Sequence, residues 1–280
     1  MDRRRFIRDA CVLALLLHQG QTLLASEGPS LVRRKRLLRF AIASDTHFGQ
    51  PKTAYQEMLD TGIRHLNEMH SKDPFDFGVI NGDIVHDDIS FFPQARKTLD
   101  RLSFKYYVTQ GNHDMATPEQ WRQAWDSPVN FDVVKDRTAL IFATTSDHTG
   151  KYLPPDMDWL TAKFREHRKA DHILLFIHIP QMKWTKHAIE STPFQELVKA
   201  QKNLRAVFHG HEHDQDGIKW HAGVPFLFDS HMGGNWGTNY RGYRIVELYK
   251  GGLIKTWIMN PDTALFETEL KPGMAEPMPV

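Results

Sequence analysis

The sequence has one cysteine, Cys11, so no internal disulfide and no thiolate-rich zinc module can form; any metal must be held by nitrogen and oxygen. Nor is there an excess of either charge. Lys plus Arg number 35 against 34 Asp plus Glu, for a formal net charge of +1. No global attraction to nucleic acid or to an anionic membrane follows, and a nucleic-acid partner is disfavoured. The apolar run from Ala10 to Leu17 is too short to span a bilayer, and the mean hydropathy of −0.48 excludes a polytopic membrane protein. Internal repeats and low-complexity blocks are absent as well. What is present is ordinary globular material, 41% apolar and 25% charged over 280 residues, enough for one large α/β domain or two small ones. Histidine is the exception. There are 16, and histidine is both the commonest metal ligand and the commonest general acid or base near neutral pH.

The amino terminus has the layout of an export signal. Arg3-Arg4-Arg5-Phe6-Ile7-Arg8 precedes the apolar run, and small residues follow at Ala25 and Ser26. The arginine pattern resembles the twin-arginine type, which predicts a signal over residues 1–25, a periplasmic or otherwise exported protein, and no membrane span in the mature form. A basic amphipathic start on a cytoplasmic protein is the alternative. Residues 26–39, with Arg33, Arg34, Lys35, Arg36 and Arg39, are expected to be a solvated basic flank. A single domain is expected over 40–260, with a surface-laid or frayed tail over 261–280.

Within the domain, apolar strand candidates alternate with helical patterns. Strands are expected at Phe40–Ser44, Phe77–Ile80, Tyr106–Thr109, Ala139–Thr144, Ile173–Ile177, Ala206–Phe208, Pro225–Asp229, Gly242–Tyr249 and Leu253–Met259, the last two joined by a turn at Lys250-Gly251-Gly252. Helical spacing appears over Thr53–Met69, Gln94–Leu102, Met157–His167 and Pro193–Ala200. Several strand candidates end in residues that bind metals: Asp45 and His47, Asp83, Asn112 and His113, His178, and His211 and His213. In open α/β sheets, sites gather outside the carboxyl ends of strands, so these ends are candidates to converge. Singly, each piece is weak, because Asp-x-His and Gly-Asp are common turns and a lone histidine after a strand is often structural.

In this order the pieces resemble the calcineurin-like metallophosphoesterases: Asp45-x-His47, Gly82-Asp83, Gly111-Asn112-His113-Asp114, His178, then Gly210-His211-x-His213. The resemblance covers roughly residues 40–250. It implies an α/β (α+β) fold, a four-layer sandwich of two mixed β-sheets flanked by helices. It also implies two divalent or trivalent metal ions, of iron, manganese or zinc. Asp45, His47 and His213 would hold one ion, Asn112, His178 and His211 the other, and Asp83 would bridge them. The implied reaction is hydrolysis of a small-molecule phosphate ester, with a metal-bridging hydroxide attacking phosphorus in line. His113 would be the acid or transition-state stabiliser, and Asp114 is expected to orient it by accepting its other ring proton. An Asp158-Trp159-Leu160 helix before His178 resembles the phosphodiesterase-type branch.

Diester and monoester hydrolysis stay open, because both use the same core and differ in the pocket rim. A nuclease, or a non-catalytic scaffold on the same fold, are the other readings. Outside the motifs, His86, Asp87 and Asp88 are either a polar loop or face the substrate, and His209 and His231 are candidates to support the ligands. His65, His70, His167, His172 and His187 look solvated. Gly233-Gly234-Asn235-Trp236-Gly237 is expected as a pocket wall; with no helix and lysine after it, it is not a phosphate-cradling loop.

Overall fold

A computed structural model describes residues 35–260 and, for the backbone, 264–270. The chain divides into two compact units, Met1–Arg36 and Leu37–Val280, and the first lies almost wholly outside the described residues. The expected signal segment, Cys11 and the cleavage near Ala25 fall there too.

The elements run β1 (Arg36–Ala43), α1 (Tyr55–Lys72), β2 (Phe77–Asn81), α2 (Phe92–Leu99), β3 (Tyr106–Thr109), α3 (Pro118–Trp125), β4 (Phe131–Lys135) and β5 (Thr138–Phe142). Then follow α4 (Met157–Glu166), β6 (His172–Phe176), α5 (Thr192–Ala200), β7 (Leu204–His209), β8 (Ile218–His221), β9 (Val224–Phe228), β10 (Tyr243–Tyr249), β11 (Ile254–Met259) and β12 (Ala264–Leu270). They form two six-stranded sheets, ordered β12-β11-β10-β1-β2-β3 and β4-β5-β6-β7-β9-β8. Both are mixed. β1, β2 and β3 are parallel, and β10, β11 and β12 antiparallel. β5, β6, β7 and β9 are parallel, with β4 and β8 added antiparallel at the edges.

Side-chain alternation along the strands makes the layers. Leu38, Phe40 and Ile42 of β1 point between the sheets, against Phe142, Phe176 and Phe208, while Ala41 and Ala43 face the other way, into a core shared with Leu59, Ile63 and Leu66 of α1. On the far side, Ile141, Ile173 and Leu175 pack with Leu160 and Phe164 of α4 and Phe194 and Val198 of α5. The result is helix, sheet, sheet, helix, as the resemblance implied. Between the sheets, Phe131, Phe142, Phe176 and Phe208 stack in sequence at 4.5, 4.7 and 4.9 Å, and Phe40 meets the last two edge-on. Because consecutive strands carry these rings in register, the strand ends beyond them are held in register too.

Several expectations need correction. β1 begins at Arg36, so the basic flank is not wholly solvated: Arg39 is buried, pairs with Asp73 and Glu247 at 3.1 and 3.3 Å, and lies over the Phe75 ring. Helix α3 and strands β4 and β8 carried too little apolar periodicity to be anticipated, although α3 opens on a Thr117 cap followed by Pro118. Of the tail, expected to be surface-laid or frayed, Ala264–Leu270 forms an antiparallel edge strand on β11. His65, His167 and His172 are buried rather than solvated, facing the Tyr243 hydroxyl, Asp132 and Arg205 respectively.

Candidate metal centre

The sequence-predicted residues come together at the carboxyl ends of β1, β2, β3, β6 and β7, where the two sheets meet. Asn81, the last residue of β2, fixes that junction: its amide donates to the carbonyls of Ile177 and Phe208 at 3.1 and 3.3 Å, while Thr109 donates to its oxygen at 2.8 Å. This fully buried side chain staples the first sheet to the second. Sequence reading missed it, because Asn81 before Gly82-Asp83 looks like any turn residue.

The loops beyond are bent sharply and tied to one another. Asp45, His47, Asp83 and His211 adopt left-handed backbone, with φ of 55°, 42°, 51° and 69°. Non-glycine residues rarely adopt it, and it persists only where surrounding structure over-determines it, commonly at functional sites. Here the Asp45 and His47 amides donate to the carbonyls of Gly82 and Asp83, each at 3.0 Å. Two glycines are required by the close approach. Gly82 has φ of 91° and a Cβ there would stand 2.3 Å from His178 Nδ1; at Gly111 it would stand 2.2 Å from Asp83 Oδ1.

The donors form two clusters. Asp45, His47 and His213 make one; His47 Nε2 lies 3.0 Å from His213 Nε2, and Asp45 Oδ1 3.2 Å from the latter. Asp83, His178 and His211 make the other, with Asp83 Oδ2 3.1 Å from His178 Nε2. Asp83 Oδ2 also stands 3.8 Å from His47 Nε2, so this carboxylate faces both clusters. Whether the donors fit cations is tested by the atoms left over. Asn112 Oδ1, His178 Nε2 and His211 Nε2 are buried without a hydrogen bond, His178 Nε2 lacking the alignment that its 3.1 Å approach to Asp83 would need. Such orphaned groups cost free energy unless something else satisfies them. An amide oxygen, imidazole nitrogens and carboxylates suit divalent or trivalent transition ions. The donor set fits.

Electrostatics agree. Burial would lower the His178 imidazole, but Asp83 and Asp45 beside it lift it to about 10. Burial, with only partial compensation from the carboxylates, pushes His47 and His211 down to about 3. Asp45 and Asp83 are held below the ordinary carboxylate range, the histidines around them outweighing burial.

His113 stands beside the clusters, its ring 4.8 Å from that of His47. Asp114 does not orient it. A short 3-10 turn over Asn112–Asp114 sends the two side chains apart, and the fully buried Asp114 accepts from the amides of Ile84, Val85 and Gly111 at 2.8, 3.0 and 2.8 Å. It therefore locks the Gly82 loop to the Gly111 loop, and burial together with Asp83 pushes its carboxyl up to about 7. The carboxylate on His113 is Asp87, whose Oδ1 lies 2.7 Å from His113 Nδ1. Burial would lower His113, but Asp83 and Asp87 raise it above the ordinary histidine value. His86 stacks on His113 at 4.9 Å and places its Nδ1 2.9 Å from His47 Nδ1. His86 and Asp87 thus face the site, which the spacing Gly-Asp-x-x-His-Asp left open.

Of the other histidines, His231 stacks on His213 at 4.8 Å, whereas His209 is sealed between Phe226 and Phe228. Trp236 lies parallel to His213 at 4.3 Å, and its carbonyl is 3.2 Å from His213 Nδ1. Asp158-Trp159-Leu160 belongs to α4, whose Trp159 and Leu160 pack in the core outside the second sheet. No helix among the described residues is long and apolar enough to cross a membrane.

The profile of the family described as Calcineurin-like phosphoesterase matches residues 38–215. No curated protein matches the chain. Among solved structures, the fold is similar to that of a dimetal phosphatase from Danio rerio, with a TM-score of 0.67 at 11% identity over 85% of this chain and 100% of the other. It is also similar to a purple acid phosphatase from yellow lupin (Lupinus luteus) seeds, at 0.60 and 11% identity over 84% of this chain and 53% of the other. A third is the NAD nucleotidase of Haemophilus influenzae, at 0.53 and 12% identity over 83% of this chain and 49% of the other.

Proposed function

The chain belongs to the calcineurin-like phosphoesterase family, and on that footing we propose that it hydrolyses phosphate esters at a centre of two metal ions. The observation that carries this is the buried cluster of Asp83, His178 and His211, in which His178 Nε2 and His211 Nε2 have no hydrogen bond, with Asn112 Oδ1 also buried without one. Asp45, His47 and His213 would hold one cation, Asn112, His178 and His211 the other, and Asp83 would serve both. Iron, manganese and zinc all suit these donors. Bound there, the cations supply the positive charge that neutralises phosphoryl oxygens and the acidity that makes water a nucleophile near neutral pH.

The chain's own residues supply the rest. Asp87 accepts the Nδ1 proton of His113 and fixes the ring, and the raised pKa keeps that imidazole protonated further towards neutral pH. His113 then donates from its other nitrogen to the departing ester oxygen, or stabilises charge developing on it. Asp114 and Asn81 hold the loops at the spacing this transfer needs.

Metal analysis of the purified protein, coupled to hydrolysis of a bis-aryl and a mono-aryl phosphate, tests the proposal. About two metal equivalents and turnover of either ester support it, and the preferred ester assigns diesterase or monoesterase. No metal and no turnover would favour the scaffold reading. A nuclease has less support, since the net charge is only +1. We also propose export by the twin-arginine route, on the strength of Arg3-Arg4-Arg5 and the apolar run behind it. An intact Met1 on the protein recovered from outside the cytoplasm would refute cleavage near Ala25.

A further inference from the structure

Among the described residues, two large hydrophobic side chains are exposed, Val134 and Trp236. Val134 lies on the edge strand β4, where one exposed aliphatic residue needs no explanation. Trp236 is 42% exposed and stands at the candidate metal centre. Its indole is parallel to His213, with ring centres 4.3 Å apart and planes within 8°, and its centre lies 4.8 Å from that of His47. His231 also stacks on His213, at 4.8 Å and 13°.

The loop that carries the indole is fixed. The Gly233 amide donates to the Asp45 carbonyl at 2.8 Å, the Thr238 amide to the His213 carbonyl at 3.0 Å, and Gln50 to the Asn235 side chain at 3.1 Å. A Cβ at Gly233 would stand 1.9 Å from the Thr46 carbonyl oxygen, and one at Gly237 2.5 Å from that of His213. The backbone is thus pressed against the two segments that carry Asp45, His47 and His213. An indole needed only to steady His213 would gain more from burial, because aromatic surface left in water forfeits its transfer free energy. Rigid support, contact with candidate ligands and remaining exposure combine in a different role, a prepared surface waiting for a flat group.

Resting on the phosphate-ester reading, we propose that Trp236 is the platform for the organic group of the substrate, and that it selects esters with an aromatic ring bonded directly to the ester oxygen. The reach sets that class. A platform less than 5 Å from two candidate ligand rings meets the group next to phosphorus, while a ring held beyond a sugar or an alkyl spacer overshoots it. Trp236 is a specificity residue, and the proton and the cations stay with the groups described above.

Phenylphosphonate and methylphosphonate test this, since their carbon–phosphorus bonds resist the hydrolysis proposed and their affinities are read by calorimetry on the full chain reconstituted with manganese. Wild type is expected to bind the phenyl compound roughly fivefold more tightly, the size of one aromatic stack. That preference should fall to near unity in Trp236→Ala and Trp236→Leu and largely survive in Trp236→Phe, with manganese content unchanged. An intact preference in Trp236→Leu or Trp236→Ala would overturn the platform, as would loss of manganese from both variants, which would assign the indole to holding His213. A wild-type chain that holds manganese and binds both compounds alike also refutes the platform and leaves the hydrolase reading standing; a chain that holds none of manganese, iron and zinc refutes both.

Discussion

The two donor clusters differ in how far they satisfy themselves. Around Asp45, the rings of His47 and His213 touch through their Nε2 atoms, and their Nδ1 atoms face His86 and the Trp236 carbonyl. His231 stacks on His213 from one side, and an exposed indole parallel to it marks the rim. Around Asp83, His178 is fixed from behind by the Asn81 carbonyl at 2.7 Å and faces Asp83 at 3.1 Å, yet Asn112 Oδ1 and His211 Nε2 are buried without a hydrogen bond. The first cluster is backed by the His231 ring and lies beside the exposed Trp236. The second is held by backbone and carries an unmet demand for a cation. A shared carboxylate, Asp83, couples them.

Removing that carboxylate should erase the difference. Asp83→Asn strips the counter-charge from His178 and the link to His47, and is expected to empty both clusters and cut kcat/KM by about a thousandfold, as metal analysis and aryl phosphate hydrolysis would read. Asn112→Ala should separate the clusters instead: one metal equivalent lost, the other kept, and activity down about a hundredfold. If both equivalents go, the clusters are a single cooperative unit and the contrast between them fails. His113→Ala should keep both metals and lose most turnover on poor leaving groups. Asp87→Asn should reproduce about tenfold of that loss, a part of the 10²–10⁴ typical of a general acid; Asp114→Asn giving the same kinetic signature with unchanged stability would restore the carboxylate expected from sequence.

Chelation gives a smaller, thermal effect with a definite pH dependence. His178 has a folded-state value near 10 against an ordinary 6.5, so in the metal-free chain its ion pairing stabilises fully below about pH 6.5 and is lost as pH rises through 10. A metal must displace that proton, so binding strengthens over the same window. The loaded chain is therefore expected to melt about 5–10 °C above the chelated one at a metal concentration about a hundredfold above the Kd at pH 7, with the gap widening from pH 7 to 9 at that fixed concentration. A gap that narrows would mean His178 is not a ligand.

Much of this was legible in the sequence because each donor follows directly on an apolar run. A strand of Phe77–Asn81 type must be buried, and the polar residue after it must lie at its carboxyl end. Five such ends, in family order, named the seven candidate ligands. The same logic failed at Asp114. Adjacent residues in a 3-10 turn point apart, so neighbourhood in sequence gave the wrong carboxylate, and Asp87, 26 positions from His113, supplied the contact. Solvation of His65, His167 and His172 was misjudged for a related reason, since their partners Tyr243, Asp132 and Arg205 come from distant elements.

By itself, then, the sequence determined which atoms are available: oxygen and nitrogen donors, no thiolates in the domain, and their attachment to the ends of strands that alternate with helices; the two-sheet sandwich was implied by the family resemblance. Only the tertiary structure decided which donors face one another, that Asp83 stands between both clusters, that Asp114 binds loops while Asp87 holds His113, and that Trp236 is left exposed over His213. The reason is that ligation, ion pairing and stacking depend on distance and direction to within an ångström or two. Those are fixed by the joining of two sheets through groups such as Asn81, and no local pattern along the chain encodes them.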